Sequence, residues 1–228
     1  MSGVTGPTGR PGVRTADPRG RMDAVAARVI LLAGPSGAGK TRLARRSALP
    51  VMALDDFYKN GSDPTLPRRD TGLVDWDDPR AWDLDGALQS LRELCTTGTT
   101  RAPVYDISAN ARTGSQKLGL GTARYLVAEG IFAAELVGVC RDAGLLESAI
   151  CVRRSRWVTF ALRLSRDLRE HRKPPGVLLR RGWRLARREP AIVAALEARG
   201  CQAMTPREAE THIRGLASEG SSAPHSRA

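Results

Sequence analysis

The stretch "RVILLAGPSGAGKT", residues 28–41, constrains this chain more than any other. A short apolar run without alternation reads as a strand buried on both faces, and this one ends at a glycine. Gly34, Gly39, Lys40 and Thr41 then satisfy the spacing G-x-x-x-x-G-K-[ST]. Gly34, Gly37 and Gly39 allow backbone angles and close approaches that a Cβ would block, so successive N–H groups can converge on one anion. Pro35, Ser36 and Ala38 complete the loop. Lys40 is placed to reach β and γ phosphates, and the Thr41 hydroxyl suits a hard cation such as Mg²⁺. "KTRLARRSAL" follows, with Leu43 and Ala44 on a helical period and no early glycine or proline, which predicts a helix. Strand, loop, lysine and helix in this order predict a phosphate cradle rather than a flexible turn.

The remaining pattern repeats the alternation. "LPVMALDDFY" reads as a second buried strand ending in Asp55 and Asp56, and "ARYLVAEGIF" as a third ending at Glu129. "LLESAICVRR" reads as a fourth. Between them, "DLDGALQSLREL" sets Leu84, Leu88 and Leu91 on one helical face. Strands alternating with helices after a phosphate loop predict an α/β fold, a doubly wound and mostly parallel sheet with helices on both faces. Ligands of such sheets bind at the carboxyl ends of the strands, which would put the acids at 55, 56 and 129 beside the loop. "RSRWVTFALRLSRDLREH" predicts an Arg-rich helix, stopped by Pro174 and Pro175. One domain over 23–217 is expected, between disordered tails at 1–22 and 218–228.

Charge is segregated along the chain, whose net charge is +12. Arg153 to Arg188 holds thirteen Arg or Lys against two acids, whereas residues 51–85 hold nine Asp against four basic residues. Such a pair of segments suits a site that handles both phosphate and metal. Neither a membrane-length apolar run nor a secretory leader is legible, and the four widely spaced cysteines form no metal pattern. Buried thiols and a cytoplasmic location are expected.

Several phrases, in order over about residues 28–190, make the chain resemble the uridine kinase family of P-loop nucleoside and nucleotide kinases, with phosphoribulokinase and pantothenate kinase as relatives. They are "GPSGAGKT", "DDFYK", "VDWDDPRAWD", "PVYD" with "NAR" soon after, "EGIF" and "RLSRDLREHRK". The resemblance implies a P-loop NTPase fold that moves the γ-phosphate of ATP, with Mg²⁺, to the 5′-hydroxyl of a nucleoside. It assigns catalysis to Lys40, Asp55 and Arg166, and the ATP phosphates to residues 34–41 with Lys173. Thr41, Glu129 and Asp55 would serve the metal. Substrate contacts fall to Tyr58, Trp76, Asp77, Tyr105, Asn110, Arg112 and Arg163, with a lid at about 163–180. Asn110 stands where the family often has a histidine, which directs attention to the identity of the acceptor.

Two further readings stay open on the sequence. The acceptor is either a nucleoside or another small alcohol of pantothenate or antibiotic type, and the basic segment would also suit an ATP-dependent nucleic-acid-binding or regulatory module. No nucleic-acid-binding motif and no membrane anchor is legible, so ATP and a small-molecule acceptor are the expected partners. Whether copies of the chain assemble into a homo-oligomer is not legible.

Overall fold

The computed structural model describes residues 27–154 and 190–222. Its centre is a five-stranded parallel sheet in the order β2-β5-β1-β6-β7. The strands are β1 (Arg28–Ala33), β2 (Val51–Ala53), β5 (Tyr125–Glu129), β6 (Leu146–Val152) and β7 (Gln202–Met204). Between β2 and β5 the chain inserts an antiparallel hairpin, β3 (Thr99–Asp106) and β4 (Ala111–Gly119), that pairs only with itself.

β1 shows why the sheet must be covered twice. Val29, Leu31 and Ala33 enter one apolar cluster while Ile30 and Leu32 enter another, and all five are fully buried. Strand alternation thus sends successive side chains of one apolar run into two separate cores. The first core is closed by α2 (Leu84–Thr97) and α3 (Leu136–Asp142), through Ala87, Leu91, Leu94, Val137 and Cys140. The second is closed by α1 (Lys40–Arg46) and α4 (Pro206–Ser222), through Leu43, Ala44, Ala209 and Ile213. Residues 190–198 are also helical and place Leu196 in the first core.

Helix ends follow local chemistry. Asp83 caps α2 by accepting from Gly86 N at 2.9 Å, and Gly98 stops it in the left-handed conformation. Leu91 is buried on α2 as its period predicts, while Leu84 and Leu88 pack at the edge of the cluster. All four cysteines are free and buried, and burial raises the Cys95 thiol to about 12.

Two expectations change. β2 ends at Ala53, and Asp55 and Asp56 lie in the 3-10 turn Leu54–Phe57 that follows it. That turn is held from below by Trp82, whose Nε1 donates to the Leu54 carbonyl at 2.7 Å. α4 runs to Ser222, past the expected tail boundary at 218, with Ser218 Oγ donating to the Gly215 carbonyl. The hairpin was legible only as two substrate phrases, because its strands are half-exposed and mostly polar. The Arg-rich segment, including the lid expected at about 163–180, lies outside the described residues.

β1 and β6 meet the loop at Gly34, where φ is +141° and a Cβ would stand 2.5 Å from the Val152 carbonyl oxygen. Gly34→Ala is therefore expected to destabilise the protein by at least about 2 kcal/mol, read as a lower urea midpoint at unchanged m-value.

Candidate functional site

The glycine-rich loop is built on the end of β1. Gly34, Gly37 and Gly39 all have positive φ, at 141°, 83° and 98°, so the chain turns twice within six residues before α1. Lys40 is buried and folds back over this turn, its Nζ donating to the Gly34 carbonyl at 2.8 Å and to that of Pro35 at 3.4 Å. An ammonium held over a glycine turn by loop carbonyls is a charge suited to a polyphosphate.

One residue into α1, Thr41 Oγ1 donates to Glu129 Oε1 at 2.8 Å. Glu129 ends β5 and is buried. Burial pushes its carboxyl above the usual range, the Thr41 bond opposes this, and the charge of Asp55 adds to it. Asp55 is exposed, and its Oδ1 accepts from Ile131 N at 3.1 Å. Gly130 makes that approach feasible, since a Cβ there would lie 2.8 Å from the same oxygen. Asp56 turns the other way and accepts from Tyr105 N at 3.3 Å in the hairpin. Burial raises its pKa, the hydrogen bond from Tyr105 opposes that, and the charge of Asp55 raises it further. The two adjacent acids, inseparable in the sequence, thus face different parts of the molecule.

A hydroxyl and carboxylates at the edge of a phosphate loop fit Mg²⁺, a hard ion that keeps waters and takes its remaining ligands from substrate phosphates. Among the described residues no group of three or more His, Cys, Asp or Glu forms a closed metal cage. An open set of Thr41, Glu129 and Asp55 suits an ion that arrives with the nucleotide.

Close to Asp55 and Asp77 stands a group of aromatic rings. Tyr58 lies edge-on to Trp76 at 5.7 Å and to Phe132 at 5.8 Å, and tilted against Tyr105 at 5.7 Å. Its hydroxyl donates to the Trp76 carbonyl at 3.1 Å. Burial, with Asp55, Asp77 and Tyr105 nearby, raises its pKa, so it stays a neutral donor. Asp77 is exposed at the rim and paired with Arg69 at 3.0 Å, which also holds Asp75 at 2.6 Å. Arg69 had no sequence signal, because its importance lies in a short loop that brings it over Asp77.

Arg112 was expected to contact substrate, but its guanidinium is engaged by the protein. It donates to the carbonyls of Tyr58 (3.0 Å) and Phe57 (3.1 Å) and to Asp83 Oδ2 (2.9 Å), pinning the hairpin to the turn that carries Asp55. Asn110 is exposed at the hairpin turn with φ +48°, and its carbonyl accepts from Gly61 N. Arg163, Arg166 and Lys173 lie outside the described residues.

The comparisons with known proteins fit this geometry. The family model of the Phosphoribulokinase / Uridine kinase family matches residues 29–173. The chain belongs to this family. It is thus a P-loop kinase, of a family that uses a nucleotide and a small-molecule substrate. It is 28% identical over 150 residues to a uridine kinase of Lactobacillus johnsonii, spanning 62% of this chain and 68% of that one. It is also 33% identical over 111 residues to the inorganic pyrophosphatase TTM1 of Arabidopsis thaliana, covering 46% of this kinase but 16% of the plant protein. In fold it is similar to a crystal structure from Silicibacter sp. TM1040, assigned provisionally as a fructose transport system kinase. The TM-score is 0.55 at 20% identity, over 83% of this chain and 92% of that one. Among the described residues of this kinase no helix is long and apolar enough to cross a membrane.

Glu129 supplies a pH test. Its raised native pKa means that the folded state binds the proton more tightly than the unfolded chain. Its contribution to stability is therefore full below the unfolded carboxylate pKa and is lost as pH rises through the native value. Glu129→Gln is expected to stabilise the kinase at pH 7 by about 0.5–2 kcal/mol, while lowering phosphoryl transfer about 10–100-fold. Urea unfolding at several pH values, beside a kinase assay, checks both; reduced stability at pH 7 would refute the account of Glu129.

Proposed function

We propose that this kinase transfers the γ-phosphate of ATP to the 5′-hydroxyl of a nucleoside. The observation that carries the reading is the position of Asp55. Its carboxylate is exposed, close both to Glu129, which Thr41 holds, and to Tyr58, which packs against Trp76 and Tyr105.

In this reading Lys40 and the amides of residues 34–41 bind the β and γ phosphates. Thr41, Glu129 and Asp55 would hold Mg²⁺, which when bound neutralises charge on the phosphates. Asp55 orients the acceptor hydroxyl and takes its proton as the oxygen attacks the γ phosphorus. The bond to the β–γ bridging oxygen breaks, and ADP leaves with that oxygen. The rings at 58, 76 and 105 pack against the nucleoside, and Asp77 accepts from its ribose hydroxyls. Arg112 positions the hairpin, and Asn110 meets the acceptor from the hairpin turn. Arg163, Arg166 and Lys173 close over the phosphates from the lid.

One observation favours a second acceptor class, a small alcohol without a vicinal diol: Asp77 already has a cationic partner in Arg69. The same experiment separates the two. With ATP and Mg²⁺, a panel of ribonucleosides, 2′-deoxynucleosides and non-nucleoside alcohols is expected to show transfer to ribonucleosides first. Asp55→Asn should lower kcat by about 10²–10⁴-fold at little change in the KM for ATP. Asn110→Ala should shift preference among acceptors at near-normal kcat for the best one. Transfer to a non-nucleoside alcohol alone would replace the nucleoside assignment, and normal turnover by Asp55→Asn would remove the role given to that carboxylate.

A further inference from the structure

Arg154 has no part in the site as described, yet it touches the phosphate loop. It follows the last residue of β6 by two positions, and its Nε donates to the Ala38 carbonyl at 2.9 Å. Its guanidinium lies against Gly39, where a Cβ would stand 3.5 Å from a terminal nitrogen, 3.7 Å from Nε and 4.0 Å from Cζ. The strand that buttresses the loop at Gly34 through Val152 therefore also grips it at Ala38, four residues later.

Peptide geometry gives that bond a consequence. The Ala38 carbonyl and the Gly39 N–H belong to one planar unit and point in opposite directions. Holding the carbonyl on Arg154 directs the Gly39 N–H away from that guanidinium. Gly39, at φ +98°, is also the residue with most freedom to rotate that unit away. Arginine suits the task because Nε–H is a fixed donor in a planar group that stays protonated.

We propose that Arg154 is a positioning residue for the nucleotide: it latches the Ala38–Gly39 peptide so that the Gly39 N–H faces the polyphosphate. The proposal rests on the loop as a phosphate cradle and is independent of the acceptor. Its test compares the full-length chain with R154M, which removes donor and charge, and R154Q, which keeps an N–H donor without charge. Titration calorimetry with MgATP and with Mg-tripolyphosphate, a probe without a nucleoside, reads the affinity, and thermal unfolding reads the fold.

R154M is expected to weaken both ligands by a similar factor of about 10, or about 1.4 kcal/mol. R154Q should recover to within about 3-fold of the natural chain, with the acceptor KM unchanged in both. Unchanged affinity in R154M would overturn the latch. So would weakened ATP beside normal tripolyphosphate, which would move the contact to the nucleoside half. Equal loss in both variants would assign the effect to charge and overturn it too. If R154M does not fold, R154Q decides by itself, since retained affinity supports the latch and a 10-fold loss overturns it. Failure of the natural chain to bind either ligand would refute the cradle itself, an outcome distinct from all of these.

Discussion

The backbone contact between Gly34 and Val152 is the constraint on which the site depends. No side chain fits between the end of β1 and the end of β6, where a Cβ would meet a carbonyl oxygen at 2.5 Å. The loop consequently leaves the sheet against the neighbouring strand, then turns twice through positive-φ glycines. Lys40 falls back over its own loop, Thr41 meets Glu129 across 88 residues of sequence, and Arg154 reaches Ala38 from the far side. Each contact presupposes the first.

Electrostatics supplies the second constraint. Glu129 is buried with its charge disfavoured, and Asp55 stands close enough to disfavour it further. A fold selected only for stability would not place two acids together at the edge of a core. A cation bound beside them would make the arrangement favourable, because the same oxygens would then face positive charge. Lys40 is the converse, a buried ammonium that donates to the Gly34 and Pro35 carbonyls.

The sequence revealed what depends on local pattern. β1, the loop, the start of α1 and the apolar part of β5 are runs whose spacing dictates conformation, and they lie where that spacing predicts. What escaped depends on contacts between distant segments. Asp55 and Asp56 look equivalent as neighbours, and only the 3-10 turn sends one toward Glu129 and the other toward Tyr105. Arg112 sits in a substrate phrase, and its bonds to residues 57, 58 and 83 could not be read from it. Arg69 and Arg154 were two more arginines in an arginine-rich chain until the fold set them against Asp77 and Ala38. β7 is three residues long and carries no periodic signal of its own.

The attachment of the β3–β4 hairpin has a consequence for how such a protein can diversify. The hairpin shares no ladder with the central sheet. Among the described contacts it is fastened by a few particular side chains, with the Arg112 guanidinium on Asp83 and on the carbonyls of residues 57 and 58, Tyr105 N on the Asp56 carboxylate and Arg112 N on Asn60 Oδ1, while Gly61 N on the Asn110 carbonyl joins main chain to main chain. Those fastenings rest on Arg112, Asp56, Asn60 and Asp83 and leave the exposed positions of the two strands outside them. With those few residues kept, the exposed positions of the hairpin can vary without disturbing β1 and β5, with which it shares no ladder.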